Sequence, residues 1–478
     1  MLKKSTKIIT TVSDRRCDTD FIRALFDAGM NVVRMNSAHL GPEGITRIVG
    51  NCREVSPRIG VMIDTKGPEI RTTANENPDD KLFFLEGARV EFVGNPSGST
   101  SQSRIALNYA GIARDVRPGI HFLIDDGELD FLIEEVDPAT GIICARCMND
   151  GTLASRKSVN IPGSDIRLPA LSDRDKATLA VAAKLGVDFV AHSFVRSAED
   201  VRAVQAELDA LGSDMKIISK IENQQGVDNF DSILEASYGI MIARGDLGIE
   251  VAAERIPVIQ HEMIAKCIAM HRPVIVATQM LHSMIENPRP TRAEVSDIAN
   301  AVYQRADCLM LSGETANGRY PVEAVSTMAR VAQEVEKSLI ATTTSDTIPP
   351  LVDAHVTSFL ARQAVVSERE IGTKAIVADA IHGRTARFIA SFRGSCPVYA
   401  ICYRRRTMRW LSLSYGIKAY YYKDYTPEQR YPVEALRDFI AQGLLEPEDR
   451  IAYLGAICGT GATFLEINAV RAIIEKNC

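Results

Sequence analysis

A chain of 478 residues exceeds what one hydrophobic core organises, so two to four domains are expected. Its 46% hydrophobic and 24% charged content is ordinary globular composition and excludes extensive disorder. A formal net charge of −6 offers no global attraction to nucleic acid or an anionic membrane, and no apolar run approaches the length of a membrane span. Neither partner is expected, and an anionic substrate would need a local basic cluster. The opening MLKKSTKIITTVSDRR has no apolar core after its lysines and does not read as a signal peptide. The ten cysteines are scattered; the one CxxC, Cys144 and Cys147, sits inside the strand-like GIICARCM with no second pair. Reduced thiols in a cytoplasmic protein are the expectation.

In chain order, residues 6–12 read as a strand and Thr19 to Ala28 as a helix closed by Gly29. A strand from Val32 to Met35 ends in RMNSAH, a helix covers Ile45 to Glu54, and a strand from Ile59 to Ile63 ends in DTKGPEIR. From Thr72 to Pro162 the texture changes to short β-like runs separated by turn formers such as Asn95-Pro96 and Asp126-Gly127, without a good helix. This segment, 72–162, reads as a small β domain inserted into an alternating pattern. The alternation resumes with a helix from Ser172 to Lys184, whose Ser172 and Asp175 form a variant capping box. Strands are predicted at 188–195, 216–221, 239–243, 273–277 and 308–311, with helices at 198–210, 225–236, 258–270, 293–304 and 321–338. Residues 1–71 and 163–340 thus supply eight strand-helix pairs in about 250 residues, the usual size of a (β/α)8 TIM barrel. A doubly wound open sheet is the rival. A polar linker at 341–350 leads to a C-terminal α/β domain, 351–478, with strands at 374–379, 397–402, 418–422 and 451–455.

The chemistry gathers at the strand ends. Lys216 to Glu250 contains two apolar runs, one ending in Lys220 and Glu222, the other in Arg244, Gly245 and Asp246. Parallel strands place such ends side by side. Glu222 and Asp246 read as two carboxylates sharing Mg²⁺, and Lys220, two residues before Glu222, projects to the same side. A lysine there neutralises charge on a phosphoryl group in transfer. Gly245 to Gly248 read as the start of a short helix whose free backbone N–H groups hold an anion. Arg34 and Asn36 share one face of the second strand; Asp64, Thr65, Lys66 and Arg71 follow the third; Ser193 and Thr278 close the fourth and seventh. Ser312, in LSGET, reads as a helix cap. Together these imply Mg²⁺-assisted chemistry on a phosphorylated, carboxylate-bearing small molecule.

RMN..H, DTKGPEIRT, SFVRSAEDV, KIISKIENQQGVDN, ARGDLGIEV, ATQML, NPRPTRAEVSDIANAV and MLSGETA resemble pyruvate kinase, in order and with the inserted segment in its place. The resemblance spans nearly the whole chain. It implies glycolytic phosphoryl transfer from phosphoenolpyruvate to ADP, giving pyruvate and ATP. It implies Mg²⁺ (or Mn²⁺) on Glu222 and Asp246, and Lys220 stabilising the transferred group with Arg34 and Ser193 beside it. Gly245, Asp246 and Thr278 would bind the substrate carboxylate, and Thr278 would relay a proton through water. Asn36, His39, Arg71 and Lys157 are implied nucleotide contacts, with the inserted domain as a lid. It further implies K⁺ on Asn36, Asp64 and Thr65, and a homotetramer with effector sites in the C-terminal domains.

Three departures bear on these implications. The family's K⁺-binding serine position is Ala38, and Ser37 would point away on a regular strand, so one ligand is missing or replaced; Glu69 nevertheless matches K⁺-requiring members. The hydroxyl-rich sugar-phosphate loop is replaced by Ala380, Ile381 and His382, while Gly383, Arg384 and Thr385 keep its later pattern. Fructose-bisphosphate activation is therefore not expected, and Arg404-Arg405-Arg406 reads as a solvated basic face. Val12-Ser13-Asp14 stands where the family has Ile-Gly-Pro. A Mg²⁺-dependent barrel aldolase or lyase is the nearest enzymatic rival, but it has no need of Arg71, Lys157 or a lid. A catalytically silent metabolite-binding regulator is the other, and it has no need of Lys220 and Thr278 together.

Overall fold

The computed structural model describes residues 4–342, 348–423, 433–457 and 462–477; residues 343–347 of the expected linker, and Cys458 and Cys478, lie outside the described residues. Eight parallel strands close into a barrel: β1 (Lys7–Thr11), β2 (Val32–Asn36), β3 (Gly60–Asp64), β4 (Phe189–His192), β5 (Lys216–Ile221), β6 (Gly239–Ala243), β7 (Val274–Ala277) and β8 (Cys308–Leu311). Each strand pairs with its sequence neighbour, and β8 returns to β1, so the open doubly wound sheet is excluded.

Closure explains why the strands read as unbroken apolar runs: both faces are covered. Ile9, Met62, Phe189, Ile218, Met241 and Ile275 point inward into a barrel core, while Ile8, Val61, Val190, Ile217, Ile240 and Val274 pack outward against the helices. The helix from Thr19–Ala28 starts on Asp18, whose side chain accepts the Phe21 N–H, and stops where Gly29 turns to φ +121. The helix Asp173–Lys184 carries the expected Ser172/Asp175 capping box with both reciprocal bonds. The single helix expected over 225–236 is two, Gln224–Asp228 and Phe230–Ala236. Asn229 breaks it: its backbone leaves the helical region at φ −96, ψ 14, and its side chain donates to the Arg196 carbonyl at 2.9 Å. The strand expected over 188–195 stops at His192, because Phe194 adopts φ +54.

Between β3 and the helix at Asp173 the chain forms a six-stranded and a two-stranded sheet around Phe84, Phe92, Phe122 and Phe131. Among its described residues the only helical piece is the short turn Ile112–Arg114. Cys144 and Cys147 are free thiols on one strand of that sheet. Beyond residue 348 a five-stranded sheet runs in the order Ile417–Tyr421, Val398–Cys402, Ala375–Ala380, Arg450–Ile457 and Ala462–Ala469. The last strand, antiparallel and absent from the sequence reading, runs straight into the helix Val470–Lys476 without a turn signal between them.

This C-terminal segment plugs the floor of the barrel. Trp410 and Leu413 join the inner barrel core. Around them, Arg409 bonds Asp188 at 2.6 Å, and Arg393 grips Asp307 at 3.0 and 2.7 Å. The Arg404-Arg405-Arg406 run is only partly a solvated face, since Arg406 pairs with Asp214 and Arg405 stacks on Tyr421.

Candidate active site

Two residues further along the inward faces, the lining changes from apolar to charged. Val32 gives way to Arg34, Met62 to Asp64 and Ile218 to Lys220, each pair sharing a face by strand alternation. All three charges sit at the C-terminal mouth of the barrel and are buried. Asp64 is the hub: its Oδ2 accepts Arg34 Nη2 at 2.5 Å and lies 3.3 Å from Lys220 Nζ. Lys220 Nζ also meets Glu222 Oε1 at 2.8 Å and Ser193 Oγ at 2.9 Å, and Arg34 Nη1 donates to Thr11 Oγ1 at 3.1 Å.

Burial disfavours charge on Arg34, Asp64 and Lys220, yet the mutual attractions outweigh it. Burial works to lower the Lys220 pKa, but Glu222 and Asp64 together hold it above its ordinary value. Burial works to raise Asp64, and Arg34 with Lys220 hold it below. The site therefore stands as fixed ammonium, guanidinium and carboxylate.

Asp246 differs. Burial and the adjacent Glu222 carboxylate raise its pKa to about 7, and the two side chains share a hydrogen bond. A buried carboxyl pair in this condition retains either a proton or a cation. The donors are hard oxygens, and among the described residues no group of three or more His, Cys, Asp or Glu side chains is arranged to hold a metal ion by itself. Two carboxylates that leave the remaining positions to substrate and water suit Mg²⁺. Glu222 is oriented by the Phe194 N–H, which donates to its Oε2 at 2.7 Å.

The short helix expected at Gly245–Gly248 is present as Arg244–Glu250, springing directly from β6, but its Gly245 N–H is not free as expected. The Gly245 N–H donates to Thr278 Oγ1 at 2.7 Å, and that hydroxyl donates to the Ala277 carbonyl at 2.6 Å. Thr278 has φ +70, a rare conformation for a β-branched residue. Arg244 secures it by donating to the Thr278 carbonyl at 2.9 Å while pairing with Asp297. Asp297 was not singled out in the sequence, although it lies in the NPRPTRAEVSDIANAV stretch. Ser312 occupies a helix N-cap position but makes no side-chain cap bond, contrary to its reading as a cap. The buried Glu314 carboxylate instead ties this turn to the loop after β7, accepting the Ser312 N–H at 2.7 Å and the Leu281 N–H at 3.0 Å.

Asn36 stands opposite Asp64 in the β2–β3 register, and its Oδ1 accepts the Ala38 N–H at 3.1 Å. Asp64 Oδ1 is buried with no hydrogen-bond partner, an orphaned acceptor that fits a cation. Thr65 Oγ1 accepts the Ser193 N–H at 3.1 Å. Ser37 is buried in the turn after β2, so strand alternation does not govern its direction.

A cleft of ≈450 Å³ separates the barrel mouth from the inserted segment, lined among others by Glu69, Arg71, Asp126, Asn160, Asp246 and Glu250. Arg71 pairs with Glu69 at 2.5 Å, and Lys157 pairs with Asp125 at 2.7 Å without lining the cleft. His39 is exposed on the turn after β2 and is not drawn to the cluster.

A closed parallel barrel with buried paired charges at its C-terminal mouth, roofed by an inserted β segment, defines a (β/α)8-barrel enzyme of anionic substrates. The family model described as pyruvate kinase, barrel domain, matches residues 3–325, and that of the pyruvate kinase alpha/beta domain matches residues 359–463. The chain belongs to the pyruvate kinase family, and it is a phosphotransferase acting between phosphoenolpyruvate and ADP. It is 42% identical to the pyruvate kinase of Borreliella burgdorferi, covering 99% of both chains, and 39% identical to that of Leishmania mexicana, covering 88% and 85%. The crystal structure of a pyruvate kinase from Cryptosporidium parvum superimposes with a TM-score of 0.88 at 33% identity, covering 97% of this chain and 96% of the other.

Proposed function

We propose that the cluster around Lys220 is the site of transfer, with the phosphoryl group of phosphoenolpyruvate lying against Lys220 Nζ, Arg34 and Ser193. The observation that carries this reading is the placement of Lys220 Nζ between Glu222 at 2.8 Å and Asp64 at 3.3 Å, which keeps it an ammonium in a buried site. Ser193 Oγ, at 2.9 Å, aims it. The substrate carboxylate would take the Gly245 and Asp246 backbone N–H groups and the Thr278 hydroxyl, replacing the Gly245–Thr278 bond. As the phosphoryl group leaves for an ADP oxygen, negative charge moves onto the enolate oxygen, and a proton delivered to the enol carbon completes pyruvate. The Thr278 hydroxyl is too weak an acid to be the donor and relays that proton through water.

Glu222 and Asp246 would hold Mg²⁺ or Mn²⁺, which when bound neutralises phosphoryl and enolate oxygens. Asn36, Asp64 and Thr65 would hold K⁺, the orphaned Asp64 Oδ1 being the support for that assignment. Arg71 and Lys157, with Asn36 and His39, would meet the nucleotide, after Arg71 and Lys157 exchange Glu69 and Asp125 for phosphate. The segments 1–71 with 163–340, 72–162 and 351–478 would act as catalytic, lid and effector or assembly domains of a cytoplasmic homotetramer. Among the described residues no helix is long and apolar enough to cross a membrane. Pyruvate formation from phosphoenolpyruvate and ADP, measured with and without Mg²⁺ and K⁺ for wild type and Lys220→Met, tests the reading. Full activity in Lys220→Met overturns the role given to Lys220; indifference to Mg²⁺ overturns that of the acidic pair.

A further inference from the structure

At the barrel floor, where the helix Arg384–Ser391 meets the turns before β7 and β8, a cavity of ≈10 Å³ admits a single water-sized ligand. None of the roles above uses it. Its wall brings Arg387, Arg393 and Ser414 of the C-terminal segment together with His271, Arg272 and Asp307 of the barrel. Nε and Nη1 of Arg387, Nε of Arg393 and Oγ of Ser414 are all buried without a hydrogen-bond partner. Arg393 and Ser414 are only 6% and 2% exposed, so bulk solvent does not serve them.

The other polar side chains of the wall are already engaged. Asp307 Oδ1 accepts from Arg393 Nη1 and the Tyr415 N–H, and its Oδ2 accepts from Arg393 Nη2 and the Val274 N–H. Ser391 Oγ donates to the Phe388 carbonyl at 2.7 Å and meets His271 Nδ1 at 2.6 Å, while His271 Nε2 faces Ser358 and Asp353. The cavity is therefore walled by donors, with the Ser414 oxygen as its one uncommitted side-chain acceptor. A water there could place only one of its own two protons on these side chains. An anion takes every donor and needs none in return.

Charge points the same way. Arg393 is matched by Asp307, but Arg387 lies over the Tyr238 ring at 4.4 Å and Arg272 reaches only the Glu235 carbonyl, at 3.4 Å. Among the described residues, neither of these two forms an ion pair with a carboxylate. Burial, and then the charge of Arg387, hold the Arg272 guanidinium below its ordinary pKa. Surplus positive charge in a desolvated seam is stabilised by a counter-ion.

We propose that this cavity binds a monatomic anion, chloride, on the free Arg387 and Arg393 nitrogens and the Ser414 hydroxyl. The ion ties the C-terminal segment to the barrel floor. A phosphate or carboxylate group exceeds the space.

The thermal midpoint of the full chain, free of substrate, is followed as tetramethylammonium gluconate is exchanged for chloride at constant ionic strength. A rise that saturates with chloride is expected, and inorganic phosphate is expected not to reproduce it. Arg387→Met keeps the stem over Tyr238 without the donors and is expected to lose the chloride-dependent rise. Ser414→Ala is expected to need roughly tenfold more chloride or higher for half-saturation. Equal midpoints in gluconate and chloride, or an unchanged chloride response in both variants, overturn the proposal; an equal response to phosphate overturns the size limit. Crystals of the wild type grown in bromide need no variant. An anomalous peak between Arg387 Nε and Ser414 Oγ is expected, and its absence at saturating bromide overturns the proposal.

Discussion

Arg244 and Asp297 meet through two guanidinium nitrogens and both carboxylate oxygens, each contact 2.7 Å long. The pair holds backbone in place. Arg244 also donates to the Thr278 carbonyl, fixing a threonine whose φ of +70 is unfavourable by itself and whose hydroxyl receives the Gly245 N–H. Asp297→Ala leaves Arg244 half of a broken, partly buried pair. A stability loss of about 2–3 kcal/mol is expected, the solvent-facing side of Asp297 keeping it below the fully buried case. Because Thr278 and Gly245 lose their common anchor, kcat/KM for phosphoenolpyruvate is expected to fall at least ~10-fold. Urea unfolding and steady-state kinetics on the same preparation check both; unchanged kinetics would refute the anchoring role.

Lys220→Met removes the ammonium held by Glu222, Asp64 and Ser193. A fall in kcat of roughly 10²–10³-fold is expected, with a smaller change in KM, because the charge matters most while the phosphoryl group is in transfer. A variant that loses KM alone would place Lys220 in ground-state binding instead.

The Asp246 carboxyl titrates near 7 in the metal-free protein, above its unfolded value of roughly 4. A carboxyl raised on folding contributes stability that is present below its unfolded pKa and is lost as the pH rises through about 7. The difference in unfolding free energy between wild type and Asp246→Asn, which cancels the other titrations, is therefore expected to move against the wild type from pH 5 to 8. Mg²⁺ on the proposed Glu222–Asp246 pair would displace the same proton, so its apparent affinity is expected to weaken as the pH falls below 7, with proton release seen by calorimetry in buffers of different ionisation enthalpy. Affinity independent of pH would exclude Asp246 as the proton's seat.

Trp410 is the only tryptophan of the chain, and it fills the barrel floor with Lys216 Nζ 4.1 Å from its ring. Its emission is expected to be that of a buried indole and to shift to the red when the C-terminal segment leaves the barrel. Trp410→Ala should cost about 3–5 kcal/mol, since the barrel loses its stopper as well as the side chain's own contacts. A loss below 1 kcal/mol would show that the floor closes without it.

Sugar phosphates are expected to leave phosphoenolpyruvate saturation curves unchanged. Gly383 turns at φ +76 into the helix Arg384–Ser391 with no side-chain cap, and Ala380 and Ile381 offer no hydroxyl before it. A leftward shift of the curve with fructose bisphosphate would refute this.

The alternating pattern, the strand ends and the acid–lysine spacing were legible in the sequence because each is local. Lys220 and Glu222 are two residues apart at one strand end and meet at 2.8 Å, and the Ser172/Asp175 box needs only four residues. The break at Asn229 was not legible, because the carbonyl that captures its side chain belongs to Arg196 on another element. Nor was the failure of Ser312 as a cap, because its backbone sits at φ −106, ψ −96, away from the extended region a capping residue adopts.

The sequence by itself determined that Lys220, Glu222 and Asp246 stand at the C-terminal ends of strands in an alternating β/α pattern, ends that parallel pairing gathers along one edge; that the sheet closes into a barrel came from the tertiary structure. Tertiary structure alone decided what each charge faces. Asp64 became the hub of Arg34 and Lys220, Arg244 was spent on Asp297 and the Thr278 backbone, and His192 came against the Thr65 hydroxyl. Those partners come from strands and helices far apart in the chain. Their charges and protons are set by burial and by neighbours a few ångströms away, which no local pattern encodes.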